Sequence, residues 1–360
     1  MALRPHLAVG LPFVADLFRM TDGARSVQGG VVSRVPGLGG SSRLGVMWRM
    51  GITRSRHPDA APPSPPSGVP SGAAGDSRAQ AVPWRRYVAL GDSFTEGLWD
   101  VPGGAPPSRT QQADPVLACR GWADLLAGHL ADRAAAPPDA GPAATPHTAQ
   151  VRYANLAVRG RLLDPILREQ VPAALALGPD LVSLIGGGND LLRPGADPDR
   201  MAAALEDAVV RLRAAGSDVL LGTGMDAKDS PLVRRTRPLV GLLNAHVWTI
   251  ARRHDARVLD LWGLRSLRDW RMWAPDRIHL TTQGHRRVAQ AALVALGLAP
   301  DDVAWDDPLA PLPAARWAEQ RRADAAWVRD HAYPWATRRL RGRSSGDART
   351  AKRPELTPVR

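Results

Sequence analysis

The chain has 360 residues, is 44% hydrophobic and carries a formal charge of +12. That length holds one large domain or two small ones, and the apolar share is ordinary for a protein with a substantial core. A single cysteine, Cys119, excludes an intrachain disulfide and a cysteine metal cluster, and no apolar run approaches the ~18 residues of a membrane-spanning helix.

The location of the charge decides what it means. Residues 1–84 carry a net +5 and residues 338–360 a net +6, which leaves +1 for everything between. A nucleic-acid-binding domain places its basic face on the folded part. Here the excess sits at the two ends, so no nucleic-acid partner is expected.

Residues 1–84 read as a poorly structured leader, ending in a linker over 58–82 rich in Pro, Gly, Ala and Ser that cannot bury enough surface to offset its ordering entropy. Leu7–Phe18 is apolar enough to suggest a secretory segment, but Pro12 and Asp16 interrupt it. Met47 and Met50 are alternative starts. A cytoplasmic location is expected, with export as the alternative.

From residue 85 strands and helices alternate. Tyr87–Leu90 reads as a strand ending at Gly91, Arg120–Ala134 as a helix and Val151–Leu156 as a second strand. A helix over Leu162–Leu177 precedes the apolar strand Leu181–Ile185. Asp197 and Pro198 supply the cap and first position of a helix that Gly216 stops. Val219–Leu221 and Arg257–Leu261 flank a helix through 231–254, and Thr282–Leu296 is the last core helix. Five strands alternating with helices predict a parallel sheet covered on both faces, with ligands at the carboxyl ends of its strands. Residues 301–337 read as a helical extension packing on the domain 85–300, and 338–360 as a basic disordered tail.

Four short segments could carry chemistry. Gly91-Asp92-Ser93-Phe94-Thr95-Glu96-Gly97 follows the first strand directly, and a serine on such a turn exposes its hydroxyl at the sheet edge with its own N–H free for an oxyanion. Gly75-Asp76-Ser77 repeats the tripeptide in the linker with no strand before it, so context, not the three letters, separates the copies. Gly186-Gly187-Gly188-Asn189-Asp190 closes the third strand; it reads as a Gly-rich turn or as a place where the Asn189 amide meets an oxyanion. In Asp276-Arg277-Ile278-His279 a histidine of ordinary pKa near ~6.5 can take a proton, and a carboxylate three residues away can reach its other nitrogen; alone, the pattern is more often a surface turn. Gly160, after the second strand, is by itself a turn glycine.

Taken together and in this order, these pieces resemble the GDSL/SGNH hydrolase family, in its bacterial lipase/acylhydrolase-like branch, over about residues 86–297. The resemblance implies an α/β fold, a flavodoxin-like three-layer α/β/α sandwich on a five-stranded parallel sheet of order 2-1-3-4-5. It implies Ser93 as nucleophile, His279 as base and Asp276 as its orienter, with Ser93, Gly160 and Asn189 forming an oxyanion hole. The expected activity is hydrolysis of a small-molecule, lipid or sugar ester without cofactor or metal. Acyl transfer to a sugar or lipid alcohol, or a non-catalytic binding protein on the same fold, are the alternatives. His285, His246 and His254 read as structural, and Asp92 as a turn former beside the serine. Trp262, Trp270 and Trp273 are residues that could wall an acyl pocket but more readily pack a loop.

Overall fold

The computed structural model describes residues 82–101, 119–135, 150–226, 233–313, 316–341, 343–347 and 349–359. The leader up to residue 81, including Leu7–Phe18 and the second Gly-Asp-Ser, lies outside the described residues.

Five parallel strands form the centre. They are β1 (Arg86–Gly91), β2 (Arg152–Asn155), β3 (Leu181–Ile185), β4 (Asp218–Gly222) and β5 (Arg257–Leu259). Between them run α1 (Ser93–Glu96), α2 (Trp122–Ala135), α3 (the helical run 163–177), α4 (Gly188–Leu191), α5 (Pro198–Ala214) and α6 (Arg237–Arg253). α7 (Thr282–Ala295) follows β5, and a helical run over 317–340, α8, comes last among the helices.

Alternation along the strands sorts the core into two layers. Tyr87 and Ala89 of β1 face Trp122, Leu126 and Leu130 of α2 and Val288 and Leu293 of α7. Val88 and Leu90 face the other way, onto Ile166, Leu205, Leu212, Leu243 and Ile250 of α3, α5 and α6. The helix ends follow their sequence signals. Asp197 accepts the N–H groups of Asp199 and Arg200 at the start of α5, and Gly178 closes α3 in the left-handed region. His246 and His254 tie α6 to Asp199 and Glu206 of α5 at 2.7 Å each.

The strand order is β5-β4-β3-β1-β2-β6, so the expected 2-1-3-4-5 sheet carries a sixth strand on its edge. That strand is β6 (Arg353–Pro358), antiparallel to β2. The expectation of a disordered tail from 338 is therefore corrected, as is that of a five-stranded, wholly parallel sheet. Pro354 and Pro358 are accommodated because β6 is an edge strand, which tolerates proline where no ladder N–H is needed. Charge misleads, because the basic side chains are used. Arg152 donates to the Leu356 carbonyl, and Arg353 stacks on Tyr153 with its guanidinium carbon 5.2 Å from the ring centroid. Lys352 is driven inward: its Nζ lies 2.5, 2.7, 2.6 and 2.7 Å from the carbonyls of Glu96, Cys119 and Arg120 and from Asp124 Oδ2, four acceptors sharing its three protons. Among the described residues no helix is long and apolar enough to cross a membrane.

Lys352→Ala leaves those acceptors without their shared donor. An unpaired buried polar group costs about 1–3 kcal/mol, and each kcal/mol lowers the melting temperature of a domain this size by about 2–4 °C. We expect a drop of several degrees by thermal denaturation; an unchanged midpoint would show that the anchor contributes nothing.

Candidate active site

The site forms where β1, β3 and β4 end. Gly91 terminates β1 at φ +154, and a Cβ there would lie 2.5 Å from the Ile185 carbonyl oxygen, so only glycine lets β1 turn beside β3. Asp92 then caps α1, accepting the Phe94 N–H at 3.0 Å. Ser93 is thus the first residue of a helical turn, and among the described residues its N–H donates to no other group.

His279 arrives from the loop before α7, 186 residues away in sequence. Its Nε2 lies 2.8 Å from Ser93 Oγ, and its Nδ1 lies 2.6 Å from Asp276 Oδ2. The other carboxylate oxygen of Asp276 accepts the N–H groups of Ile278 and His279 at 3.0 Å each. Between them Arg277 sits at φ +59, a left-handed conformation uncommon for a side chain of its size. It is held by an ion pair with Asp324 at 2.8 Å and by stacking over Trp327 at 5.1 Å.

The electrostatics follow from the geometry. Burial alone would raise the Asp276 pKa, but the facing imidazolium and three hydrogen bonds outweigh it and bring it to about 2. Burial alone would lower the His279 pKa; the Asp276 charge and hydrogen bond outweigh that and raise it. Burial pushes Asp92 up to about 6. His285 is buried and held down to about 4 by burial, with its Nδ1 accepting the Trp122 N–H at 3.3 Å, which is a packing role.

Gly160 follows β2 at φ +75 and lines the same cleft as Ser93. Its loop is pinned by Glu96, whose carboxylate accepts the Arg159 backbone N–H at 2.7 Å and the Arg159 Nε at 2.8 Å, and also pairs with Nη2. Asn189 lies beside Ser93 on the cleft wall, and its amide donates to Asp92 Oδ2 at 3.1 Å and to the Arg161 carbonyl at 3.0 Å. The structure therefore brings all five expected residues to one cleft, with both Asn189 protons engaged by the loops around it.

Several neighbours escaped the sequence reading. Trp99, buried and at φ +78, donates its indole N–H to Asp276 Oδ2 at 2.6 Å, the oxygen that faces His279. Trp327 of α8 donates to the Asp276 carbonyl at 3.0 Å. Ser344 and Gly346 press on the Gly160 loop: a Cβ on Gly160 would collide with Ser344 Oγ, and one on Gly346 would collide with the Arg159 carbonyl oxygen. Only Glu96 and Arg159 had a local signal, since each flanks a motif glycine; the rest are long-range partners.

The cleft holds about 820 Å³. Its walls include buried Ile185, Leu205, Leu243 and Val247, with Trp270 and Trp273 on the side of the His279 loop. Trp262 is not among the lining residues and instead stacks under Arg237 at 5.1 Å.

A mostly parallel sheet between helical layers places the chain in the α/β class, with a serine, an imidazole and a carboxylate in line at its strand ends. The family model of the GDSL-like lipase/acylhydrolase family matches residues 89–287, and the chain belongs to that family. It is by that membership a hydrolase of ester bonds. Solved structures with a similar fold include TesA, at 23% identity with a TM-score of 0.42 over 59% of this chain and 98% of that one. LAE5, an enzyme from the metagenome of Lake Arreo, Spain, is 22% identical with a TM-score of 0.45 over 59% and 95%. The acetylxylan esterase Axe2 of Geobacillus stearothermophilus is 19% identical with a TM-score of 0.44 over 61% and 97%. A comparison with curated proteins finds no match.

The Trp99 contact predicts a titration change. Without the indole N–H the Asp276 carboxylate is a stronger base and holds the imidazolium proton harder. In Trp99→Phe the His279 pKa should rise further above 6.5, as followed by NMR titration of the ring with His279→Gln to assign the signal. A fall or no change would show that the contact has no electrostatic effect.

Proposed function

We propose that the protein hydrolyses carboxylic esters through a Ser93 acyl-enzyme. The observation that carries this reading is the line Ser93 Oγ–His279 Nε2–His279 Nδ1–Asp276 Oδ2, with separations of 2.8 and 2.6 Å across the two hydrogen bonds.

In the first half-reaction Ser93 Oγ attacks the ester carbonyl carbon while its proton passes to His279 Nε2. The carbonyl oxygen gains the negative charge and meets the N–H groups of Ser93 and Gly160. The Asn189 amide joins them by giving up one of its present acceptors, Asp92 or the Arg161 carbonyl. Collapse of the intermediate breaks the ester C–O bond, and the departing alcohol takes the proton from His279. A water molecule then attacks the acyl carbon, passing its proton to the same nitrogen, and Ser93 leaves with that proton as the acid departs. Asp276 fixes the imidazole tautomer throughout and stabilises the imidazolium that forms twice per turnover.

Ser93→Ala should lower kcat on p-nitrophenyl acetate by about 10⁴-fold or more, and labelling by a fluorophosphonate should vanish with it. Wild-type-like turnover by purified Ser93→Ala would refute the assignment, and failure of the native protein to label would favour a binding role. Asn189→Ala should lower kcat by about 10²–10³-fold with a smaller change in KM. Because the His279 pKa is raised and only the neutral ring accepts a proton, kcat/KM should climb with pH through a midpoint above 6.5. A midpoint below the ordinary histidine value would contradict that ordering.

A further inference from the structure

The cleft changes character between its floor and its mouth. Leu205, Leu243 and Val247 make the floor apolar and are buried. Around the mouth stand four exposed arginines: Arg193 after α4, Arg268 before the Trp270 turn, Arg338 in α8 and Arg343 just beyond it. They reach the cleft from three separate stretches of chain.

None of the four has a carboxylate within ion-pair distance among the described residues. The carboxylates that line the same cleft are already taken. Asp226 pairs with Arg237 at 2.7 Å, Asp330 with Arg329 at 2.9 Å, and Asp347 accepts the Ser344 N–H at 2.8 Å. Asp92 and Asp276 are engaged around Ser93 and His279. Residues 85–337 are nearly neutral as a whole, so Arg193 and Arg268 at one opening are not the average of that stretch. The strongly basic end of the chain contributes two of the four, and Lys352 and β6 hold the stretch that follows them in place.

Like charges around a cleft with low-dielectric walls focus a positive potential on whatever enters. Guanidinium groups suit planar or tetrahedral oxyanions, which they bind through paired N–H donors. An acyl chain on the apolar floor would leave the alcohol half of an ester directed outward, toward the arginines.

We propose that the mouth of the cleft recognises a negatively charged group on the alcohol half of the ester, making the preferred substrate an amphiphile with an acyl chain at one end and an anionic group at the other. This rests on Ser93 being the nucleophile, and it adds to that reading which esters are chosen.

The test compares two esters that differ only in charge, 4-hexanoyloxybenzenesulfonate and 4-hexanoyloxybenzenesulfonamide. Each kcat/KM is divided by that ester's rate constant with hydroxide, which removes the difference in leaving-group reactivity. The sulfonate should be preferred about tenfold or more, the size of one charge-assisted hydrogen bond. The preference should shrink toward unity in the double variant Arg338→Gln/Arg343→Gln, and in the native enzyme when sodium chloride is raised to about 0.5 M, where screening acts within a few ångströms. Arg193→Gln/Arg268→Gln provides a second pair on other elements should the first variant fold poorly. Equal use of both esters by an enzyme whose turnover requires Ser93 would overturn the charge preference and leave the hydrolase reading standing. Absence of turnover on both, with no fluorophosphonate labelling, would overturn the hydrolase reading and the preference together.

Discussion

The arrangement around Ser93 depends on one buried carboxylate. Asp276 can stay ionised away from water only because donors surround it: the His279 ring, two peptide N–H groups of its own loop and the Trp99 indole. A further indole, from Trp327, fixes the carbonyl of the same residue. Each donor constrains a different stretch of chain. Trp99 comes from the connection between β1 and α2, Trp327 from α8, and the peptide groups from a loop that turns sharply at Arg277. Strain at Arg277 of about 1 kcal/mol is offset by its ion pair and its aromatic neighbour. The imidazole is therefore aimed at Ser93 by contacts that span most of the domain.

The Gly160 side of the cleft is built on the same plan, with a charge buried and paired to hold backbone. Glu96 stands one turn after Ser93 and takes the Arg159 side chain and N–H together, so the segment carrying Ser93 also sets the position of Gly160. A buried ion pair contributes little net stability compared with apolar packing. Its value here is geometric, since it fixes two loops relative to each other across the end of the sheet.

Much of this was legible in the chain because the informative residues sit at ends of elements. Gly91 after an apolar strand, the glycines after Leu181–Ile185 and the aspartate three before a histidine announce themselves by local spacing. The strand before Ser93 was what distinguished it from Ser77, and the structure places Ser93 at the end of β1. The rest was hidden for a physical reason: Trp99, Trp327 and Ser344 matter through partners about fifty to nearly two hundred residues away, and nothing near them in sequence marks the pairing. Averaging also misled. A tail of arginines and prolines has the composition of solvated coil, but Lys352 finds three carbonyls and Arg353–Pro358 finds an open sheet edge.

The family match stops at residue 287, yet Ser344 and Gly346 rest against the loop that carries Gly160. As the ribosome delivers the polypeptide, Ser93, Asp276 and His279 all emerge before β6 exists. The Gly160 loop gains its contacts with Ser344 and Gly346 only once that stretch has been made, next to the strand that docks on β2, itself synthesised some two hundred residues earlier. A chain cut before residue 344 would keep Ser93, His279 and Asp276 but lose the neighbours that flank the Gly160 loop.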